Sequence, residues 1–152
     1  MAKKNGATTS PAAKSVSVKR SNKALPVAVV GAGMIPFGEL FHLSYDEMVV
    51  RAYQNCLKSV QKGIAEDDIE AAWIGICNPN TSVHKESVAG TGLTETIRFF
   101  PRPVTRVENA CCTGTDAIRN AAFAVTAGIY DIVLVVGAEK MRDVPPRESL
   151  VK

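Results

Sequence analysis

Acidic residues are missing from the start of this 152-residue chain: the first 38 residues contain six Lys or Arg and no Asp or Glu. The remaining residues carry 12 basic and 15 acidic side chains, so the formal net charge of +3 comes from the tail. A nucleic-acid-binding domain requires positive charge spread over its folded surface. The charge distribution therefore argues against nucleic acid as a partner.

Large apolar residues are also scarce in this tail, where the larger aliphatics up to residue 26 are Val16, Val18 and Leu25. Such a segment buries too little apolar surface to offset the entropy cost of ordering it. We therefore predict a disordered basic tail over residues 1–25 and a folded domain over residues 26–152. The tail lacks the apolar core of a secretory signal and has a single arginine, Arg20, which is few for a transit peptide.

Long apolar runs are absent, and none approaches the ~20 residues that span a bilayer. Phosphate-binding, zinc-protease, EF-hand and serine-hydrolase motifs are absent as well, so we expect neither a metal nor a bound cofactor. Gly31-Ala-Gly33 follows an apolar segment, but the third glycine of a dinucleotide-binding pattern would fall at Pro36.

Four cysteines are present without a secretory signal, which argues against a disulfide framework and favours a reducing cytoplasm. Cys56 and Cys77 fall in a predicted helix and a predicted strand, where cysteine acts as a small buried hydrophobe. Cys111 and Cys112 are adjacent, a spacing that suits neither a zinc knuckle nor a redox Cys-x-x-Cys pair.

Three segments have helical patterns. Ser44-Tyr-Asp-Glu47 is a capping box, and the helix it starts is predicted to end at Gly63. Its predicted apolar face carries Met48, Ala52, Cys56 and Val60, widened by Tyr53 and Leu57. An alanine-rich helix is predicted over 112–127, ended by Gly128. A weaker helical pattern lies between residues 83 and 99, beyond a loop-like stretch that starts at residue 78.

Four short segments rich in β-branched residues read as buried strands: 25–30, 71–77, 104–107 and 131–136. Strands that alternate with helices and are apolar throughout predict an α/β fold with a mainly parallel sheet covered on both faces.

The segment 106–117 is the best candidate for chemistry, because it places cysteines at the junction between a predicted strand and a predicted helix. The first turn of a helix offers unpaired N–H groups and a positive dipole end, which favour a thiolate. The carboxyl edge of a parallel sheet is also where ligands of open α/β sheets bind. A cysteine pair that merely packs at the helix start explains the spacing equally well.

Val107-Glu-Asn-Ala-Cys-Cys-Thr-Gly114 resembles the nucleophile motif of the thiolase superfamily. Three further segments resemble the same family in the same order: the opening strand and turn at 27–38, the second strand at 75–77, and Gly-Ala-Glu-Lys-Met at 137–141. The last of these favours the sterol-carrier-protein-type branch. The resemblance implies half of a layered α-β-α thiolase fold.

The resemblance also implies a site. Cys111 matches the nucleophile that accepts an acyl group from acyl-CoA, with coenzyme A as a substrate and no bound cofactor. The N–H of Cys111 is the candidate oxyanion donor, and Thr113 and Gly114 are candidates for the substrate pocket. Cys112 falls at a position that is usually small, so we predict that it packs. A homodimer, or a completing thiolase chain, is implied as the partner.

The family also uses a histidine and a second cysteine from a second, similar half, which we expect beyond Lys152. The histidines present, His42 and His84, lack the family's surrounding motif, so we assign neither a catalytic role. We expect this chain alone not to turn over. The alternatives left open are a non-catalytic partner subunit with the same fold, a carbon–carbon lyase, and a ketoacyl synthase.

Overall fold

The computed structural model describes residues 26–77 and 90–143. The predicted disorder of residues 1–25, the loop from residue 78 and His84 lie outside the described residues. The main elements are α1 (Tyr45–Ser59), β1 (Ala71–Gly75), α2 (Gly90–Thr96), β2 (Val104–Val107), α3 (Thr113–Thr126) and β3 (Val133–Gly137). None of the helices in the described ranges is both long and apolar enough to cross a membrane.

The three strands form one parallel sheet in the order β2-β1-β3. Ala72 of β1 aligns with Val104 of β2 on one side and with Leu134 of β3 on the other. Parallel neighbours require crossover connections, and the helices between the strands supply them. The predicted α/β fold with a mainly parallel sheet is confirmed.

Helix α1 begins as its sequence predicts. The N–H of Glu47 donates to the Ser44 hydroxyl at 3.1 Å, and the N–H of Ser44 donates to the Glu47 carboxylate at 2.7 Å. These hydrogen bonds from Ser44 lower the pKa of the Glu47 carboxyl. The helix ends at Ser59, and the chain reverses through Gly63, whose φ of 72° suits glycine.

The buried face of α1 differs in part from the predicted one. Tyr53 is buried as predicted, together with Tyr45 and Val49. The other residues of the predicted face are only half-buried: Met48, Ala52, Cys56, Leu57 and Val60. The reason is that Tyr45, Val49 and Tyr53 pack into the hydrophobic core cluster, whereas Gly33 of the preceding segment lies against the backbone of Ala52 and Cys56. Cys56 is therefore half-buried, and the prediction that it is a buried hydrophobe is wrong.

The segment Pro26–Gly33 is not a strand, so the predicted buried strand at 25–30 is wrong for the residues that the structure describes. Val29 is 84% exposed. The segment pairs neither with the outer edge of β2 nor with that of β3, both unpaired among the described residues, because its glycine end is held against α1.

The glycines that follow this segment pack against α1 instead. A Cβ on Gly33 would lie 2.1 Å from the backbone nitrogen of Cys56, so only glycine allows this approach. The N–H of Ala32 donates to the Ser59 hydroxyl at 2.8 Å, and the Asn55 side-chain amide donates to the carbonyl of Met34 at 3.0 Å. Gly31-Ala-Gly33 is thus a helix-docking segment.

Helix α3 lies close to the sheet because the side chains that it buries are small. Ala117, Ala121 and Ala124 are all buried, and a Cβ on Gly75 would lie 3.1 Å from the Thr113 methyl. The first residue of α3 therefore sits directly against the carboxyl end of β1. This contact positions the turn that carries Cys111.

Candidate active site

Cys111 lies in the tight connection between β2 and α3. β2 ends at Val107, a 3₁₀ turn covers Ala110–Cys112, and α3 begins at Thr113. Ala110 has a φ of 44°, in the left-handed region that non-glycine residues rarely adopt. Cys111 is exposed. The strand therefore turns sharply into the helix and leaves the thiol accessible at the carboxyl edge of the sheet.

Thr113 organises this turn. Its side chain is buried, and its hydroxyl accepts the N–H of Asn109 at 2.8 Å while donating to the carbonyl of Ala110 at 2.7 Å. The Glu108 carboxylate accepts the N–H of Ala110 at 2.8 Å. The turn is thus closed by side chains on both sides of Cys111.

The N–H groups on either side of Cys111 are occupied. The N–H of Ala110 is taken by Glu108, and the N–H of Cys112 donates to the carbonyl of Asn109 at 2.9 Å. No described residue accepts a hydrogen bond from the N–H of Cys111 itself. This N–H is therefore available to a ligand beside the thiol.

The ends of the other two strands bring Cys77 and Glu139 to the same edge. Gly75 of β1 aligns with Val107 of β2 and with Gly137 of β3, so the residues that follow all emerge together. The N–H of Cys77 donates to the carboxylate of Glu139. Three strand ends thus converge around the candidate nucleophile.

Cys77 is exposed, so its predicted place inside a buried strand is wrong. The strand β1 ends at Gly75, and the N–H of Cys77 pairs with a side chain rather than with a neighbouring strand. Partial loss of water, together with the negative charges of Glu139, Glu108 and Cys111, raises the pKa of the Cys77 thiol. The sequence signal was its position just past a strand, next to a loop rich in Asn and Pro.

A buried tyrosine lies in the core at the start of α1. Tyr45 is 2% exposed, and its hydroxyl has no hydrogen-bond partner among the described residues. Burial and the negative charges of Glu139 and Asp46 raise the pKa of Tyr45, while Arg106 lowers it. Tyr45 is therefore a buried, neutral phenol whose ionisation the charge of Glu139 opposes. Sequence reasoning missed this residue, because Tyr45 read as part of a capping box.

Arg102 and His42 lie outside the turn that carries Cys111. Arg102 donates to the carbonyls of Phe99 at 3.1 Å and Ile69 at 3.2 Å, and its guanidinium stacks on the Phe99 ring at 4.1 Å. It therefore fixes the chain before β2. His42 is exposed in the loop before α1, where its charge acts on Glu47. Within the described ranges no group of three His, Cys, Asp or Glu side chains is arranged to hold a metal ion.

The described residues form an α/β fold with a parallel sheet and an exposed cysteine where a strand turns into a helix. The sequence matches the thiolase N-terminal domain over residues 27–151, and the chain belongs to this family. The resemblance found in the sequence is thereby confirmed.

Curated relatives agree with this assignment. The chain is 36% identical to an acetyl-CoA acetyltransferase of Methanocaldococcus jannaschii over 125 residues, which cover 82% of this chain and 31% of the relative. It is 33% identical to the enzyme of the same name from Methanothermobacter thermautotrophicus, over 78% of this chain and 30% of the relative. It is 32% identical to sterol carrier protein 2 of Bos taurus, over 76% of this chain and 20% of the relative. The chain spans less than a third of the length of these relatives.

Proposed function

We propose that this chain supplies the nucleophile-bearing part of an acyl-CoA acyltransferase, in which the sulfur of Cys111 accepts the acyl group. The observation that carries the proposal is the exposed thiol of Cys111 at the strand-to-helix turn, inside a chain of the thiolase family. The overall reaction is thiolytic cleavage of a 3-ketoacyl-CoA or the reverse Claisen condensation. Coenzyme A enters as a substrate, and the chemistry of a thiol nucleophile needs no metal or bound cofactor.

In the condensation direction the Cys111 thiolate attacks the thioester carbonyl carbon of one acyl-CoA. A carbon–sulfur bond forms to Cys111, and the bond to the coenzyme A sulfur breaks when the tetrahedral oxyanion collapses. The acyl group then passes to the carbanion of a second acyl-CoA. In the thiolysis direction Cys111 attacks the 3-keto carbon, and the bond between C2 and C3 breaks. The acetyl-CoA enolate leaves and is protonated, and the acyl group then passes to the thiol of coenzyme A. The N–H of Cys111, which no described residue occupies, is the proposed donor to the oxyanion.

The residues around the thiol support this assignment. Gly114 is exposed, and a Cβ placed on it would meet nothing within 4 Å, so an acyl chain has room on this side. Thr113 lines the inner side of the site and holds the turn through its hydroxyl. Cys112 is also exposed, so the prediction that it packs is wrong for this chain. Cys112 therefore serves as the matched control for Cys111.

The proposal requires groups that the described residues do not bring to Cys111. The histidine in the described ranges, His42, lies before α1, where its charge helps to lower the pKa of the Glu47 carboxyl. We propose that a histidine and a second cysteine come from a second, similar half, supplied by the complete protein or by a partner chain in a dimer. The proposed compartment is the cytoplasm, where free thiols persist.

Acyl transfer to the thiol is the direct test. The purified protein is incubated with acetyl-CoA, and the acetylated residue is located by peptide mass spectrometry. We expect one acetyl group on Cys111, lost in Cys111→Ser and kept in Cys112→Ser.

Acetylation of Cys112, or equal labelling of both cysteines, would contradict the assignment of the nucleophile. A folded protein that accepts no acyl group from acetyl-CoA or from longer acyl-CoA, even with a completing thiolase chain present, would instead identify a non-catalytic partner subunit.

A further inference from the structure

We infer that Cys77 and Cys111 form a reversible disulfide across the carboxyl edge of the sheet when a peroxide oxidises the protein. The two thiols are exposed at the ends of neighbouring strands. The consequence for catalysis rests on the function proposed above, because the disulfide would bind the sulfur that accepts the acyl group. The disulfide itself does not depend on that function.

The sheet brings these cysteines together. Gly75 of β1 aligns with Val107 of β2, and the N–H of Ile76 still donates to the carbonyl of Val107 at 3.3 Å. Neighbouring strands lie about 4.8 Å apart, and disulfides span Cα separations of about 4.4–6.8 Å. Cys77 follows the end of β1 by two residues and Cys111 follows the end of β2 by four, and the tight turn over Ala110–Cys112 keeps Cys111 at this edge.

The adjacent cysteine is a poorer partner. Cα atoms joined by a trans peptide lie about 3.8 Å apart, which is below the range that disulfides span. A bond between Cys111 and Cys112 would also distort the turn that the N–H of Cys112 closes on the carbonyl of Asn109. Cys56 lies half-buried in α1, where the docked segment Gly31-Ala-Gly33 contacts its backbone.

Each thiol has its own step in the oxidation: Cys111 reacts with the peroxide, and Cys77 closes the disulfide. The Cys111 thiolate attacks one oxygen of hydrogen peroxide, which forms a sulfenic acid and, after protonation, one water. The Cys77 thiolate then attacks the sulfenic sulfur, so that the S–S bond forms and hydroxide leaves, to be protonated to a second water. In total, two thiols and one peroxide give one disulfide and two waters. A dithiol reductant reverses the reaction by exchange.

Cys77 suits the second role. Its pKa is raised, so at neutral pH less of it is thiolate and it competes poorly for the peroxide. It lies beside Cys111, so its attack on the sulfenic acid is intramolecular. Capture as a disulfide protects Cys111 from irreversible oxidation to sulfinic acid.

The test compares native protein with and without a small excess of hydrogen peroxide. Remaining thiols are alkylated, and trypsin fragments are analysed by mass spectrometry without reduction. We expect the loss of two alkylatable thiols and a cross-linked pair of peptides, one with Cys77 and one with Cys111 and Cys112. The link should persist in Cys112→Ser and in Cys56→Ser, vanish in Cys111→Ser and Cys77→Ser, and disappear with dithiothreitol.

A link to Cys112 or Cys56, or oxidation of Cys111 to sulfinic acid with Cys77 still free, would overturn the inference. Acetylation of Cys111 is measured in parallel on the reduced protein. Acetylation without the cross-link rejects only the disulfide. The cross-link without acetylation rejects only the proposed function. If both hold, the oxidised protein should lose acetylation by at least tenfold and regain it after reduction.

Discussion

The hydroxyl of Thr113 accepts the N–H of Asn109 at 2.8 Å across the turn that carries Cys111. The same hydroxyl donates to the carbonyl of Ala110 at 2.7 Å. The Thr113 side chain is buried against the end of β1. One side chain thus spans the segment in which the candidate nucleophile sits. The orientation of Cys111 depends on this bridge.

Thr113→Val removes the hydroxyl while keeping the shape of the side chain. It leaves the N–H of Asn109 without its partner, so we expect the free energy of unfolding to fall by about 1–3 kcal/mol. Urea unfolding measures this change. The rate of alkylation of Cys111 by iodoacetamide should also change, because the turn loosens.

Thr113→Ser is the matched control, since it keeps the hydroxyl. Its alkylation rate at Cys111 should stay near that of the native protein. Identical behaviour of the valine and serine variants would show that the hydroxyl does not hold the turn.

Ala110 is held at a φ of 44° immediately before Cys111. Left-handed backbone costs an L-residue about 1–2 kcal/mol, and a β-branched side chain more. We expect Ala110→Val to lower the melting temperature and Ala110→Gly to leave it unchanged or raise it, because glycine adopts this conformation without strain. Calorimetry on the three proteins measures the order. A valine variant as stable as the glycine variant would contradict the left-handed turn.

Gly33 packs against the backbone of α1, where a Cβ would come within 2.1 Å of the Cys56 nitrogen. Because backbone cannot yield as a flexible side chain does, we expect Gly33→Ala to cost about 1–3 kcal/mol of stability. Gly38→Ala, five residues further along the chain, is the control, since a Cβ there meets nothing within 4 Å. Equal denaturant midpoints for the two variants would show that the segment does not dock on α1.

The pKa of the Cys77 thiol is raised by partial loss of water and then by the charges of Glu139, Glu108 and Cys111. Thiolate is the reactive form, so alkylation of Cys77 should reach half its maximal rate at a higher pH than alkylation of a free cysteine does. Glu139→Gln removes one negative charge and keeps an oxygen that can accept the N–H of Cys77. We therefore expect the midpoint of the rate profile to move to lower pH.

The rate profile of Cys77 is followed by site-resolved mass spectrometry in a Cys111→Ser background, which also removes the charge of that thiolate. Asp131→Asn is the matched charge control, because Asp131 lies before β3, at the opposite end of that strand. A midpoint that moves equally in both variants would show a general charge effect and not a contact with Glu139.

Local sequence alone determined the capping box at Ser44 and Glu47, the alanine-rich helix that ends just before Gly128, and three of the four strands. Each of these features depends on contacts between residues near one another in the chain, such as the three-residue span of the capping box. The position of Cys111 between a strand and a helix was also fixed locally, because both neighbouring elements have clear patterns.

Tertiary structure decided what lies next to that cysteine. Cys77 and Glu139 are 62 residues apart in sequence and meet because β1 and β3 are neighbours in the sheet. The segment at Val27–Val30 has the pattern of a strand, yet it stays outside the sheet, although the outer edges of β2 and β3 are unpaired among the described residues. The glycines Gly31 and Gly33 dock on α1 instead. Strand pairing is a choice among distant partners of similar pattern, so apolar spacing predicts that a strand can form and not whether distant contacts bring it to a sheet edge.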